Sequence, residues 1–297
     1  MLKHLHPSSR TFLLLYNQIW IEGLFPTMWR EAVVLPFPKP GKDSSSPLNY
    51  RPIALTNCLC KLLERMVSRR LSWQLEASGL LSPVQSGFRQ GRSTTDILVH
   101  FETTVRAAFA ERRHVFAVFF DLEKAYDTAW RWWILRKLYL LGFRGFLPIF
   151  IANFLTSRTF RVRIGSASSS PHTQDEGVPQ GSVLSVVLFA LAIDDVVRAL
   201  PSGITASLYV DDLALFCVGS HPAVMQRKLQ QAVAVLLRGQ RIMDFVSPHQ
   251  KQWLCIFAAD DNVQRIHLLL SQVPLSPRFL GLLLDSRLTW EIGRAHV

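Results

Sequence analysis

Two apolar runs in this chain carry acids where acids are costly. "HVFAVFFDL" spans 114–122 with Asp121 near its end, and "SLYVDDLALF" spans 207–216 with Asp211 and Asp212 between its apolar halves. A lone buried carboxylate is expensive, and adjacent carboxylates repel each other. The first run has strand length and no polar interruption, which predicts a strand buried on both faces with Asp121 at its tip. The second predicts a strand, a two-acid turn and a second strand. Singly, each acid is an ordinary turn or capping residue. If the strands are sheet neighbours, however, Asp121 and Asp211 converge with Asp212 close by. Three carboxylates in one place need cations to stay ionised, and hard divalent ions with oxygen ligands supply them. Two such ions roughly 4 Å apart suit an in-line phosphoryl displacement.

The charge balance points to the partner. Thirty-three Lys and Arg against twenty-two Asp and Glu leave +11, and most of the basic residues are arginines. A polyanion, foremost nucleic acid, fits such a balance, with an anionic membrane surface as the competing reading. The cysteines, Cys58, Cys60, Cys217 and Cys255, form no CxxC pair and no zinc spacing. They read as free thiols of a reducing compartment, with no structural zinc. "VLSVVLFALAI" (183–193) is too short for a bilayer, and Asn17 and Gln18 interrupt the N-terminal "TFLLLYNQIWI", so neither a membrane span nor secretion is expected.

Periodicity and caps supply the elements. Helices are expected over 9–22 and 57–78, the latter with Leu59, Leu62, Leu63, Met66, Leu71 and Leu75 inward, Asn57 as cap and Gly79 as stop. Ser93 and Asp96 have capping-box spacing for a helix carrying Ile97, Phe101 and Val105 inward. Further helices are read at 128–141, 145–157, 182–199 and near 222–241, and short strands within 30–56 and near 251–258. In "TFRVRIG" (159–165), Phe160, Val162 and Ile164 alternate with Arg161 and Arg163, which serve equally as a solvated face or as contacts to a nucleic-acid backbone. The fold class is α+β.

Several motifs in fixed order then resemble one family. "FFDLEKAYD" (119–127), "GVPQGSVLS" (177–185) and "YVDD" (209–212) are similar to the motifs of reverse transcriptases. "KPGK" (39–42), "NYRPIALTN" (49–57), "QSGFRQGRSTTD" (85–96) and "RFLG" (278–281) resemble the non-LTR, LINE-type retrotransposon branch. The resemblance implies a polymerase right-hand architecture over 20–290 after a helical extension at 1–19. Fingers would fall mainly in 20–114 and part of 130–175. The palm, an antiparallel sheet flanked by helices, would fall around 115–129 and 176–290.

The implied activity is RNA-directed DNA polymerisation, adding dNTPs to a primer 3′-OH along an RNA template in an RNA–DNA duplex. Residue by residue, the resemblance implies two Mg²⁺ ions, with Mn²⁺ as substitute, on Asp121 and Asp211 assisted by Asp212. It places Tyr126 under the sugar, where it would reject a 2′-OH, and Lys39, Arg51 and Gln180 at the incoming nucleotide. Gly177, Pro179 and Gly181 would line the template and nascent pair. Arg89 would meet template or phosphates, Phe279, Leu280 and Gly281 would hold the primer end, and Lys251 would protonate the leaving pyrophosphate.

Val186 stands where the family has Pro, and the surroundings of Lys251 depart from its pattern. The resemblance also leads us to expect a fragment lacking an endonuclease and most of the thumb. Its last residues, "EIGRAHV" (291–297), read as a translated adapter. Competing readings are a truncated, catalytically weak transposon remnant that only binds nucleic acid, and an RNA-directed RNA polymerase, which Tyr126 and the PQG loop disfavour. A cytoplasmic or nuclear location is expected.

Overall fold

The computed structural model describes residues 9–122, 125–238, 252–257, 278–280 and 282–283. In chain order the elements begin with α1 (Ser9–Glu22), β1 (Glu31–Pro38), β2 (Tyr50–Leu55), α2 (Cys58–Ala77), α3 (Thr94–Ala110) and β3 (His114–Asp121). There follow α4 (Ala125–Thr128), α5 (Arg131–Leu140), α6 (Phe146–Leu155), β4 (Arg158–Ile164), β5 (Ala167–Ser168) and β6 (His172–Gln174). The remainder comprises α7 (Val183–Ile193), α8 (Asp195–Arg198), β7 (Thr205–Tyr209), β8 (Asp212–Gly219), α9 (Pro222–Arg238), β9 (Gln252–Phe257), β10 (Arg278–Phe279) and β11 (Leu282–Leu283). This is the α+β class. The chain divides into two compact units, 1–80 with 126–192, and 81–125 with 193–297.

The first unit holds a mixed sheet in the order β2-β1-β4-β5, with β6 also paired to β4. Strand β1 runs antiparallel to β2 and parallel to β4. Pro36 is tolerated in β1 because β4 pairs it only at 31–34, so the missing amide breaks no ladder on that side. Beside the sheet, Phe25 meets Trp29, Phe150 and Phe154 edge-on at 5.6–5.9 Å, the offset geometry aromatic rings prefer.

Helix α2 starts as expected: Asn57 accepts the Leu59 amide at 2.8 Å, and Gly79 (φ +58°) follows its end. Its buried face is rotated from the expected one. Cys60, Leu63, Glu64, Val67, Leu71 and Leu75 are buried, whereas Met66 is 42% exposed and Leu59 and Leu62 are half-buried. The cause is Glu64, a carboxylate inside the apolar stripe with partners described below. Strand β4 departs too. Ile164 is 69% exposed and Phe160 and Val162 are only half-buried, while Arg158 at the strand's start is 1% exposed.

The second unit is built on the antiparallel sheet β7-β8-β3-β9. One face carries Val115, Ala117, Phe119, Ala214 and Phe216, covered by Ile97, Phe101, Val105 and Ala108 of α3 and by Phe279 of β10. On the other face Cys217 reaches the backbone of Met225 in α9, which also packs on β3 and β8. Burial on both faces accounts for the unbroken apolar run of β3. The capping box of α3 is present, with Ser93 and Asp96 each bonding the other's amide. The expected helix over 182–199 is two helices, α7 and the single turn α8. Between them Asp194 is fully buried, accepting the Ser82 amide at 2.6 Å and Arg198 Nε at 2.7 Å.

Candidate active site

The acids come together through strand register in the second unit. Strands β3 and β8 are antiparallel neighbours, and Asp121 is the Cα partner of Asp212. Such partners lie roughly 4.5–5.5 Å apart at Cα. Tyr209 pairs with Asp212, so Val210 and Asp211 form a two-residue hairpin loop. Val210 has φ +58°, the position that hairpin turns of this kind reserve for glycine. A β-branched residue held there costs about 1–2 kcal/mol, strain that persists only where the surroundings fix it.

The fixing segment is 84–87. The Ser86 amide donates to Leu208 O at 2.8 Å and the Leu208 amide to Val84 O at 3.1 Å, so this stretch lies alongside β7 with Gln85 bridged to Leu208 in parallel. Gly87 abuts the turn: a Cβ there would overlap the Val210 amide nitrogen and lie 2.9 Å from Val210 Cγ2. Arg89 donates through Nη1 to Ser82 O at 2.7 Å and Gln85 O at 2.8 Å, clasping its own loop. Phe279 stacks obliquely on Phe119 at 4.8 Å, and Leu280 packs on the same cluster.

Asp211 is exposed and Asp212 half-buried. A donor set of carboxylate oxygens without sulfur or imidazole is the chemistry hard divalent cations require. Among the described side chains no group of three His, Cys, Asp or Glu surrounds a common point. For Asp121 the backbone alone is described. Lys251, Gly281 and the 291–297 segment lie outside the described residues.

The first unit organises the 177–181 loop. Gly177 (φ +70°) sits where a Cβ would overlap the Asp127 carbonyl oxygen and lie 2.5 Å from that of Tyr126, and the Val178 amide donates to Tyr126 O at 2.8 Å. Arg131 donates through Nε to Gly177 O and through Nη2 to Gln174 O, both at 2.7 Å, and to Glu176 O at 3.0 Å. Burial, then the charge of Arg158, pushes the Arg131 guanidinium down to about 10, so it stays protonated at neutral pH. Pro179 is buried and the Gln180 side chain exposed. The Ala54 amide donates to Gln180 O at 3.1 Å, and a Cβ on Gly181 would lie 2.5 Å from Ala54 O. The half-buried ring of Tyr126 stacks on Phe189 of α7 at 4.5 Å and 13°.

On the β1–β2 hairpin Arg51 pairs with Phe37, and the Lys39 amide donates to Asn49 O at 2.8 Å, so both cationic residues sit at its loop end. Arg161 forms an exposed ion pair with Glu31 at 3.0 Å, and Arg163 is exposed.

Sequence reasoning missed Glu64, Arg131, Arg158 and Phe189. A charge within the buried stripe of α2, at the helical spacing Cys60, Glu64, Val67, Leu71, was the signal available for the first. Nothing local marked the others.

The second unit is thus an antiparallel sheet, in an α+β chain, that brings acids from two neighbouring strands to one end. The chain belongs to the reverse transcriptase (RNA-dependent DNA polymerase) family, whose model matches residues 37–258. It is 31% identical over 292 residues to the probable RNA-directed DNA polymerase from transposon BS of Drosophila melanogaster, covering 93% of this chain and 32% of that protein. It is 29% identical over 208 residues to the RNA-directed DNA polymerase from mobile element jockey of the same organism, covering 68% and 23%. Over 183 residues it is 31% identical to the Pol polyprotein from the type-1 retrotransposable element R2 of Popillia japonica, covering 61% and 25%. These relatives bear out the LINE-type branch that the motifs implied. The chain spans about a third or less of their length. Apo telomerase from Candida tropicalis, truncated from its C-terminal domain, has the same fold, with a TM-score of 0.57 at 13% identity over 94% of this chain and 59% of that one. Among the described residues no helix is long and apolar enough to cross a membrane.

Proposed function

We propose that this chain is the polymerising part of a retrotransposon reverse transcriptase and copies an RNA template into DNA. The observation that carries the reading is the register of β3 and β8, with Asp121 opposite Asp212 and Asp211 next to it at the turn. These acids fit two Mg²⁺ ions, or Mn²⁺ in their place, with Asp121 and Asp211 as principal ligands and Asp212 assisting. When bound, such ions acidify the primer 3′-OH and offset the charge of the dNTP phosphates.

The chain's own residues contribute position and charge rather than covalent chemistry. Tyr126, its ring held flat on Phe189, excludes a ribose 2′-OH and so selects deoxynucleotides. Gln180, Lys39 and Arg51 hold the incoming nucleotide, the latter two through its phosphates. Gly177, Pro179 and Gly181 shape the surface for the template and nascent pair. Arg89, Arg161 and Arg163 meet nucleic acid, Phe279, Leu280 and Gly281 hold the primer end, and Lys251 donates a proton to pyrophosphate. Template sequence is read by base pairing, and the protein grips backbone and duplex shape, consistent with its +11 charge. On this reading the chain works where RNA and dNTPs meet, in the cytoplasm or nucleus.

The test is extension of a DNA primer annealed to a defined RNA template. Product complementary to the template, made from dNTPs in preference to rNTPs, supports the reading. Preferential use of rNTPs would turn it toward an RNA polymerase, and duplex binding without extension toward a binding remnant.

A further inference from the structure

Glu64 is a fully buried carboxylate in the second turn of α2, and most of its partners lie at the start of α7. Its Oε2 accepts the Ser182 hydroxyl, the Val183 amide at 2.8 Å and the Leu184 amide at 3.2 Å. Its Oε1 accepts the Cys60 thiol at 3.0 Å. The first turn of a helix has amides without intrahelical acceptors, and an anion placed there is favoured by the helix dipole as well. Helix α7 therefore begins on a side chain from another helix, with Ser182 itself serving as an additional local cap for the Ser185 amide at 3.4 Å. Arg158, 1% exposed, offsets the charge of Glu64 through space.

The anchor bears on the loop and on Tyr126. Residues 177–181 run directly into Ser182, and their other fixed points are the Tyr126 carbonyl, Ala54 and the Arg131 guanidinium on Gly177 O. Phe189, the seat of the Tyr126 ring, rides on α7. A shift of α7 as a whole, released at its first turn, moves the Gln180 side and the Tyr126 seat together.

We propose that Glu64 is a positioning residue for nucleotide selection, holding α7 so that the 177–181 loop and the Tyr126–Phe189 stack keep one arrangement. The proposal rests on the polymerase reading and extends it to a residue that meets no substrate. Its consequence is specific. Weakening the anchor degrades nucleotide affinity and sugar discrimination, and leaves the turnover of bound nucleotide, which depends on the acids of β3 and β8, nearly intact.

Three variants of the 297-residue chain test it: Glu64→Ala, Glu64→Gln and Ser182→Ala. Gln keeps an acceptor toward α7 and can donate toward Cys60. Ser182→Ala removes one contact without stranding Arg158, so it decides the matter if Glu64→Ala fails to fold. The measurements are amide hydrogen exchange over 177–190, KM and kcat for dTTP on a poly(A)·oligo(dT) primer-template, and the dTTP to UTP preference. Glu64→Ala is expected to speed exchange at 182–186 and raise KM about tenfold, the scale of losing one or two charge-assisted hydrogen bonds, with kcat within about twofold. The dTTP preference falls, Ser182→Ala changes less in the same direction, and Glu64→Gln returns all readouts to within about threefold of wild type. Wild-type exchange and KM in a folded Ser182→Ala or Glu64→Ala protein overturns the proposal, as does loss of kcat at unchanged KM. If wild type extends no primer, the polymerase reading fails. The exchange data then decide the anchor alone: unchanged exchange at 182–186 sinks it.

Discussion

The residue facing Asp121 across the sheet is Asp212, while Asp211 occupies the second corner of the hairpin loop. Adjacent acids in sequence are thereby given different supports. Asp212 is held by the ladder of β8 with β3 and β7, and Asp211 by the conformation of a turn whose first corner, Val210, adopts a glycine-like φ of +58°. The placement of Asp211 thus depends on whatever keeps that turn in its strained form.

Gly87 is the main candidate for that support, and replacing it tests the point. In Gly87→Ala the new methyl overlaps the Val210 amide nitrogen, which is backbone and cannot swing aside. Overpacking of this kind costs about 1–3 kcal/mol. Urea unfolding should show a loss in that range, and primer extension should fall further than the loss of folded protein explains. Wild-type stability and activity would dissociate Gly87 from the turn.

Tyr126→Ala should relax sugar selection. Removing the ring takes away the bulk proposed to exclude a 2′-OH, and pockets that discriminate by a small group yield about 10–200-fold. Relative rNTP incorporation should rise within that range, read from product lengths in matched dNTP and rNTP reactions. Phe189→Ala should produce the same change more weakly, because the stacked seat at 4.5 Å is lost while the ring remains.

Arg131→Lys should loosen the entry to the 177–181 loop. One guanidinium serves the carbonyls of Gln174, Glu176 and Gly177, a fork that an ammonium cannot reproduce. The expected loss is about 1–3 kcal/mol in urea unfolding, with faster amide exchange at 177–178. Unchanged exchange would mean that the fork does not hold the loop.

Thiol chemistry should sort the cysteines by burial. Cys58 is exposed, while Cys60 and Cys217 are buried. Burial pushes the Cys217 thiol up to about 11 and raises that of Cys60 too, with the charge of Glu64 adding to the effect. Maleimide at pH 7 should modify Cys58 rapidly, and Cys60 and Cys217 only on unfolding. Since the native state keeps the Cys217 proton that the unfolded chain releases, this contribution to stability is full below the ordinary thiol value of 9.0. It is lost as pH rises toward about 11. Thermal melts across pH 8–11 on wild type and Cys217→Ala should show the difference narrowing.

Local signals carried much of the fold. The Ser93–Asp96 box, the Asn57 cap and the unbroken run ending at Asp121 each encode an element without reference to the rest of the chain. The acids were legible because two separate apolar runs carried them, Asp121 in one and Asp211 with Asp212 in the other. What was not legible depends on partners distant in sequence. No periodicity announces that β1 pairs in parallel with β4, or that an arginine opening an alternating strand is buried. Glu64 displaced the expected face of α2 because its acceptors are filled by α7, more than a hundred residues away. The pairing of Asp121 with Asp212 rather than Asp211 follows from a two-residue turn whose strained corner is a valine, which sequence rules assign to glycine.

The measurement that bears most directly on the central claim is primer extension on an RNA template with Mg²⁺, comparing wild type with Asp121→Asn, Asp211→Asn and Asp212→Asn, alongside binding of the same duplex. The account predicts template-directed extension by wild type. It also predicts a loss of about a thousandfold for Asp121→Asn and Asp211→Asn, with duplex binding retained or strengthened as negative charge is removed. Extension that survives Asp211→Asn, or a wild-type chain that binds the duplex and adds no nucleotide, would contradict it.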